Sequence, residues 1–303
     1  MPSAADPLSA WIAERFGAAP VARGAVAGGC IHEAASLELE DGRRLFVKTN
    51  RAGALPLLEA EAEGLAALAA CADTADLVVP IPLALGRTGD RAVLVLPWLD
   101  LGRCGSSPGR GWAACGAALA RLHRRSLSVA TAQDDRIDAF GWPRDNFIGS
   151  SPQRNGWVED WPGFFAERRL RPQLEALARR GARLRQADSL PARAAELLGS
   201  HRPEPCLVHG DLWSGNAALA GDGRGVLIDP AVHRADREVD LAMARLFGGF
   251  PQAFFDGYQR EWPLPDGHRP RVSLYNLYHV LNHANLFGGS YVSQAQALID
   301  ELP

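Results

Sequence analysis

The chain has 303 residues, 47% hydrophobic and 22% charged, with a formal net charge of −3; it can hold one large domain or two modest ones around a real core, and its charge gives no electrostatic case for nucleic acid or an anionic membrane as partner. Five scattered cysteines, Cys30, Cys71, Cys104, Cys115 and Cys206, fit neither a disulfide framework nor a zinc spacing. With no apolar run of membrane-spanning length and no signal peptide in the N-terminal residues, the expectation is a soluble cytoplasmic protein.

Leu8, Trp11, Ile12 and Phe16 recur at helical spacing, and Gly17 stops the run. Val21 to Ala27 reads as a strand, Gly28-Gly29-Cys30 as a turn, and Ala34 to Glu40 as the returning strand, with Leu37 and Leu39 alternating against polar neighbours. Asp41-Gly42 signals a tight hairpin into a third strand, Leu45 to Lys48. Kinases cover the nucleotide phosphates with such a glycine-containing hairpin and reach them with a strand lysine. The GxxxxGK[ST] string of a Walker loop is absent. Lys48 is the single lysine among 32 basic residues, which marks a place where arginine would not serve; chance survival is the competing explanation.

Residues 55 to 70 form an amphipathic helix with Glu59, Glu61 and Glu63 near its start. A kinase pairs one glutamate of this helix with the strand lysine; Glu61 is the choice, with the other two as alternatives. Two further strands, Leu83 to Leu85 and Arg91 to Leu96, flank Thr88-Gly89-Asp90. Leu96-Pro97-Trp98-Leu99 then reads as a hinge whose backbone can bond an adenine, with Leu99 as the donor because proline has none. Residues 102 to 110 are a linker, and Trp112, Cys115, Leu119 and Leu122 lie on one face of the next helix, whose Arg124-Arg125 reads as a solvated face. A long loop from Ala139 to Asn155 is expected to be functional. Helices are expected over 159 to 180 and 189 to 199, and later over 237 to 247, 251 to 261, 270 to 286 and 291 to 300.

Cys206-Leu207-Val208 reads as a strand delivering His209-Gly210-Asp211-Leu212-Trp213-Ser214-Gly215-Asn216 to a loop. Asp211 and Asn216 stand five residues apart, the spacing of a kinase catalytic base and its magnesium-binding asparagine. Val226-Leu227-Ile228 is a second short strand, ending in Asp229, where kinases keep a metal-binding aspartate. A turn made by short polar side chains would explain one His-Gly-Asp, but not the whole string together with Asp229. His209 reads as structural.

These blocks, with Gly28 to His32, Phe46 to Lys48, Asn146 to Asn155, Asp236 to Met243, Leu246 to Phe250 and Tyr278 to Gly288, resemble the fructosamine kinases, or ketosamine-3-kinases, over nearly the whole chain. The resemblance implies an α+β, bilobal, protein-kinase-like fold: a small β-rich N-terminal lobe with one main helix (1–98) and a larger, mainly helical C-terminal lobe (99–303). It implies an enzyme that uses ATP and Mg2+ to phosphorylate the 3-hydroxyl of free or protein-bound ketosamines, with ribulosamines and erythrulosamines as frequent microbial substrates. Asp211 would be the base, Asn216 and Asp229 the metal ligands, and Lys48, held by Glu61, would contact the α- and β-phosphates beneath the amides of Gly28, Gly29 and Cys30. Trp213 would stack on the sugar or pack its own loop, and Asp240 would anchor the catalytic loop. Cys30 is also a redox candidate able to link two copies, so monomer and homodimer both stand. The chain departs from the family after Asp229-Pro230, reading Ala231 to Ala235 without the usual aromatic pair and glycine, in a segment expected near the acceptor. Two rivals are an aminoglycoside or choline kinase, opposed by only three acidic residues over 251–290 (Asp256, Glu261, Asp266), and a non-catalytic nucleotide-binding module.

Overall fold

The computed structural model describes residues 6–26, 32–101, 108–130 and 136–303. Helix α1 (Pro7–Phe16) leads into strands β1 (Pro20–Ala25), β2 (Glu33–Leu39) and β3 (Arg44–Arg51). Helix α2 (Leu55–Cys71) and a two-residue strand β4 (Leu77–Val78) follow, then β5 (Ala84–Thr88) and β6 (Arg91–Pro97). The five longer strands make one antiparallel sheet in the order β1-β2-β3-β6-β5. Ala92 to Leu96 of β6 are all buried because both faces of the strand are covered. Val93 and Val95 pack with α1, while Ala92, Leu94 and Leu96 pack with α2, as the two-residue period of a strand requires.

The rest of the chain is mainly helical. Helix α3 (Pro108–Ser126) is followed by a hairpin of β7 (Asn146–Ile148) and β8 (Ser151–Gln153). Helix α4 (Trp161–Phe164) continues through a π-helical stretch (Phe165–Leu170) into α5 (Arg171–Arg179), and α6 (Leu190–Leu197) comes next. Strands β9 (Cys206–Val208), β10 (Ala217–Leu219), β11 (Gly225–Leu227) and β12 (His233–Ala235) precede α7 (Glu238–Leu246), α8 (Gln252–Glu261), α9 (His268–Phe287) and α10 (Ser290–Glu301). Among the described residues, no helix is long and apolar enough to cross a membrane.

Helix α2 belongs to both halves. Its Leu58, Leu65 and Leu68 share one core with Leu94 of the sheet and with Leu119, Phe254 and Tyr258 of the helical half. β4 adds a parallel strand to β11. The helix carrying the three glutamates is therefore fixed against the segment that bears Asp229.

One expectation is revised. Residues 139–155, read as a long functional loop, contain a hairpin whose buried amides brace the protein itself. Asn146 Nδ2 donates to Val232 O (2.8 Å) and Gln153 Nε2 to Ala231 O (3.1 Å). The segment 231–235, expected near the acceptor, is buried throughout. It forms β12 against β9, and the Arg234 guanidinium donates to Ser126 O and Pro205 O.

Candidate active site

β9 ends at Val208, and the backbone then turns over the Asp240 carboxylate. His209 N–H donates to Asp240 Oδ2 (2.7 Å) and Gly210 N–H to Asp240 Oδ1 (2.8 Å). His123 Nε2 lies 3.1 Å from the same Oδ2. Burial pushes the Asp240 carboxyl up, but the bonds from His123 and Gly210 hold it below its ordinary value. Gly210 has φ +81°, and a Cβ there would sit 2.1 Å from Ala231 O, so this turn needs glycine. His209 Nε2 lies 2.8 Å from Ile228 O, an acceptor only, which assigns the proton to Nε2 and leaves Nδ1 to accept from Asp211 N–H at 3.3 Å. Burial lowers its pKa, and the neutral ring ties the Asp211 loop to the strand before Asp229.

Asn216 closes that loop. Its Nδ2 donates to Asp211 O (2.9 Å), Asp211 Oδ2 (3.2 Å) and Asp229 O (3.4 Å). The amide hydrogens being engaged, the Asn216 carbonyl oxygen is the atom open to a metal ion. Asp229 sits just past β11 at φ +54°, a left-handed conformation costly for a non-glycine residue and typical of functional sites. Its Oδ1 accepts from Lys48 Nζ, and the same ammonium donates to Glu61 Oε1 at 2.7 Å. Glu63 instead pairs with Arg144. Lys48, Glu61, Asp211, Asn216 and Asp229 are thus brought together from β3, α2 and the two loops after β9 and β11.

The cluster is short of positive charge. Burial, reinforced by the Asp229 carboxylate and opposed by the hydrogen bond from Asn216, pushes the Asp211 carboxyl up to about 7. Burial also raises the Glu61 carboxyl, against the pull of Lys48 and with a further push from Asp229. Although burial opposes its charge, the two carboxylates hold the Lys48 ammonium above its ordinary value. Two carboxylates on one ammonium, with the Asp211 carboxylate and the Asn216 amide beside them, are a hard-oxygen donor set suited to a small divalent cation.

The hinge residues begin at the end of β6, which holds Leu96 and Pro97. Pro97 pairs with Leu45, Trp98 N–H donates to Arg44 O (3.3 Å), and Leu99 O accepts from Leu101 N–H (2.9 Å). Among the described residues nothing bonds the Leu99 N–H. Gly28, Gly29 and Cys30, and with them the phosphate turn and the redox expectation, lie outside the described residues. His32 was not singled out as a site residue. Burial and then the Lys48 charge bring its pKa down to about 4, and its Nδ1 lies 3.0 Å from Asn50 Nδ2. Its place in sequence, two residues after the Gly28-Gly29-Cys30 run, was the available signal. Trp213 is 39% exposed, its indole lying across Gly215, where a Cβ would meet the ring at 2.3 Å.

Residues 5–302 match the fructosamine kinase family. The chain belongs to the fructosamine kinase family. It is 43% identical over 279 residues to a protein of Synechocystis sp. named a probable ketoamine kinase, covering 92% of this chain and 89% of that one. It is 37% identical over 303 residues to the chloroplastic protein-ribulosamine 3-kinase of Arabidopsis thaliana, covering 98% and 87%. A crystal structure from Haemophilus somnus 129PT, provisionally named a fructosamine-3-kinase, superposes with a TM-score of 0.84 at 28% identity over 97% and 96% of the two chains. An aminoglycoside phosphotransferase superposes at 0.64 with 18% identity over 98% of each, which fixes the fold as protein-kinase-like. As a fructosamine kinase the protein is a phosphotransferase, and its family implies ATP binding with a divalent metal.

Proposed function

We propose that this fructosamine kinase transfers the γ-phosphoryl group of ATP, as its magnesium complex, to the 3-hydroxyl of a ketosamine. The convergence of Lys48, Glu61 and Asp229 beside Asp211 and Asn216 carries the reading, and the names of the ketoamine and ribulosamine kinases among its relatives support the acceptor class. Residues 1–98 form the nucleotide lobe and 99–303 the catalytic and acceptor lobe. Adenine lies against Leu96 to Leu99, accepting from the Leu99 N–H. Lys48, oriented by Glu61, holds the α- and β-phosphates, and the turn at Gly28 to Cys30 covers the γ-phosphate. Magnesium, held by Asn216 and Asp229, supplies neutralisation of the phosphate oxygens.

Asp211 orients the sugar hydroxyl and takes its proton as the new P–O bond forms and the bond to ADP breaks. Transfer through a loose transition state depends more on this alignment than on basicity. A carboxyl pushed up to about 7 in the free protein ionises more readily once a metal ion screens Asp229. Trp213, held across Gly215, lies against the sugar or its amine-bearing carbon.

The test is an ADP-release assay with ribulosamine, erythrulosamine, fructosamine, choline and aminoglycosides. Turnover is expected with ketosamines and with neither of the other classes. Turnover of an aminoglycoside or choline with none of any ketosamine would overturn the assignment.

A further inference from the structure

Only three aromatic side chains among the described residues are exposed: Trp213 (39%), Phe247 (39%) and Phe287 (57%). They lie in one row. Trp213 meets Phe247 edge-on at 6.4 Å between ring centroids, Phe247 meets His283 at 5.0 Å, and His283 meets Phe287 at 5.6 Å and Tyr291 at 5.0 Å. Phe287 and Tyr291 are themselves 6.1 Å apart. The row runs from the catalytic loop across the loop after α7 to α9 and α10.

Three features argue that the row is built to be covered. It starts beside the chemistry, since Trp213 N–H donates to Asp211 O at 3.1 Å. It is held in place at its inner end, because Gly249 packs on Ser214 so closely that a Cβ would fall 2.4 Å from the serine Cβ, which locks the Phe247 loop to the catalytic loop. It is also longer than a sugar: its three ring-to-ring steps match at most about five residues of extended peptide at roughly 3.3–3.6 Å each. Exposed aromatic faces gathered in one line mark a contact surface more often than chance exposure does.

A ketosamine is always attached to an amine, so the substituent on its nitrogen must leave the site in some direction. We propose that the row from Trp213 to Phe287 and Tyr291 seats that substituent, namely an extended peptide carrying the glycated lysine with apolar or aromatic residues beside it. The proposal rests on the ketosamine reading above and names the part of the acceptor that reading leaves open. The sugar and the lysine nitrogen occupy the Trp213 end, where an aromatic face also suits an alkylammonium. The lysine stem lies over Phe247, next to Trp213, and the residues flanking the lysine lie over Phe287 and Tyr291 at the far end of the row. The row offers these residues no formal charge: burial holds the His283 ring below its ordinary pKa, with its Nδ1 bonded to His279 O at 2.8 Å.

The experiment compares wild type, Phe287→Ala and Phe287→Trp on free ribulosyl-lysine and on ribulosyl-lysine within pentapeptides flanked by leucine and phenylalanine or by glutamate. Wild type should favour the apolar peptide by a lower KM. Phe287→Ala should raise that KM by about tenfold, the effect of uncovering part of one aromatic side chain, with kcat and the free ribulosyl-lysine KM nearly unmoved; Phe287→Trp should restore it. Equal KM values for the apolar and acidic peptides, or the same shift for free and peptide substrates, would overturn the proposal while leaving the kinase assignment intact. If Phe287→Ala changes sedimentation but not peptide KM, the row is a contact between copies and the proposal falls. A wild type inactive on every ketosamine removes the proposed function as well.

Discussion

Replacing Lys48 by methionine keeps the length and apolar stem of the side chain and removes only its ammonium. In the folded protein that ammonium lies between the buried Glu61 carboxylate and Asp229. Removing one member of a buried pair typically costs about 3–5 kcal/mol. Here Asp229 is 37% exposed at its side chain, so its share is screened, and the expected loss is about 2–3 kcal/mol. For a chain of this size that corresponds to a Tm lower by roughly 3–5 °C. Glu61, raised above its ordinary range, keeps its contribution below its unfolded pKa and loses it as pH rises through the folded value. Without Lys48 the shift grows, so the loss should be larger at pH 8 than at pH 5.5, where Glu61 takes up a proton. Pairing the change with Glu61→Leu removes the stranded carboxylate and should restore more than half the stability at pH 8, while activity stays lost. Urea unfolding followed by tryptophan fluorescence measures all three proteins. Stability of Lys48→Met equal to wild type at pH 8, or a double variant no better than the single one, would refute the buried-pair argument.

Lys48→Arg keeps the charge but places a planar guanidinium where a compact ammonium fits; kcat/KM at subsaturating ATP should fall at least roughly tenfold, about 1.4 kcal/mol, whereas Arg44→Lys, exposed beside Asp100, should be mild. Asp211→Asn should lower turnover by about two to four orders of magnitude yet fold well. Because the Asp211 carboxyl is raised to about 7, its stabilising contribution is fully present only below about pH 4 and is lost progressively up to pH 7, so the Tm of the amide variant relative to wild type should be higher at pH 8 than at pH 5. Asp240→Asn disturbs two backbone donors and His123 together, and should cost about 2–4 kcal/mol in urea unfolding.

Much of this arrangement was legible because motif and element coincide. The catalytic string is local in sequence, β9 and β11 deliver it, and Lys48 ends the expected third strand within β3. The choice among Glu59, Glu61 and Glu63 was open from the sequence, since all three lie within two helical turns; it is the packing of α2 against both halves that turns Glu61 inward. What sequence pattern hid was the buried polar frame. The amides of 146–155 are side chains typical of loops, and only tertiary pairing shows them satisfied inside the core against the backbone of residues 231–232. The aromatic row was invisible for a similar reason, because its members come from two loops and two helices separated by up to 78 positions between Trp213 and Tyr291.

The charge balance of the site has one further consequence. Glu61 and Asp229 share the single Lys48 ammonium, with the Asp211 carboxyl close by, and ATP without a metal adds several more negative charges to a place already short of positive ones. Nucleotide and divalent cation should therefore bind together far better than either binds singly, a coupling that thermodynamic reciprocity makes equal in both directions. Ligand at a hundred times its Kd raises stability by about 2.7 kcal/mol, so melting curves resolve the difference without any turnover. MgATP should raise Tm by several degrees and ATP with EDTA by much less. Asn216→Ala, which removes the oxygen proposed above to bind the metal and leaves the charged side chains in place, should narrow the gap between the two. Equal stabilisation of wild type by ATP with and without the metal would mean that the surplus carboxylates do not govern nucleotide binding, and that Lys48 suffices to hold the phosphates.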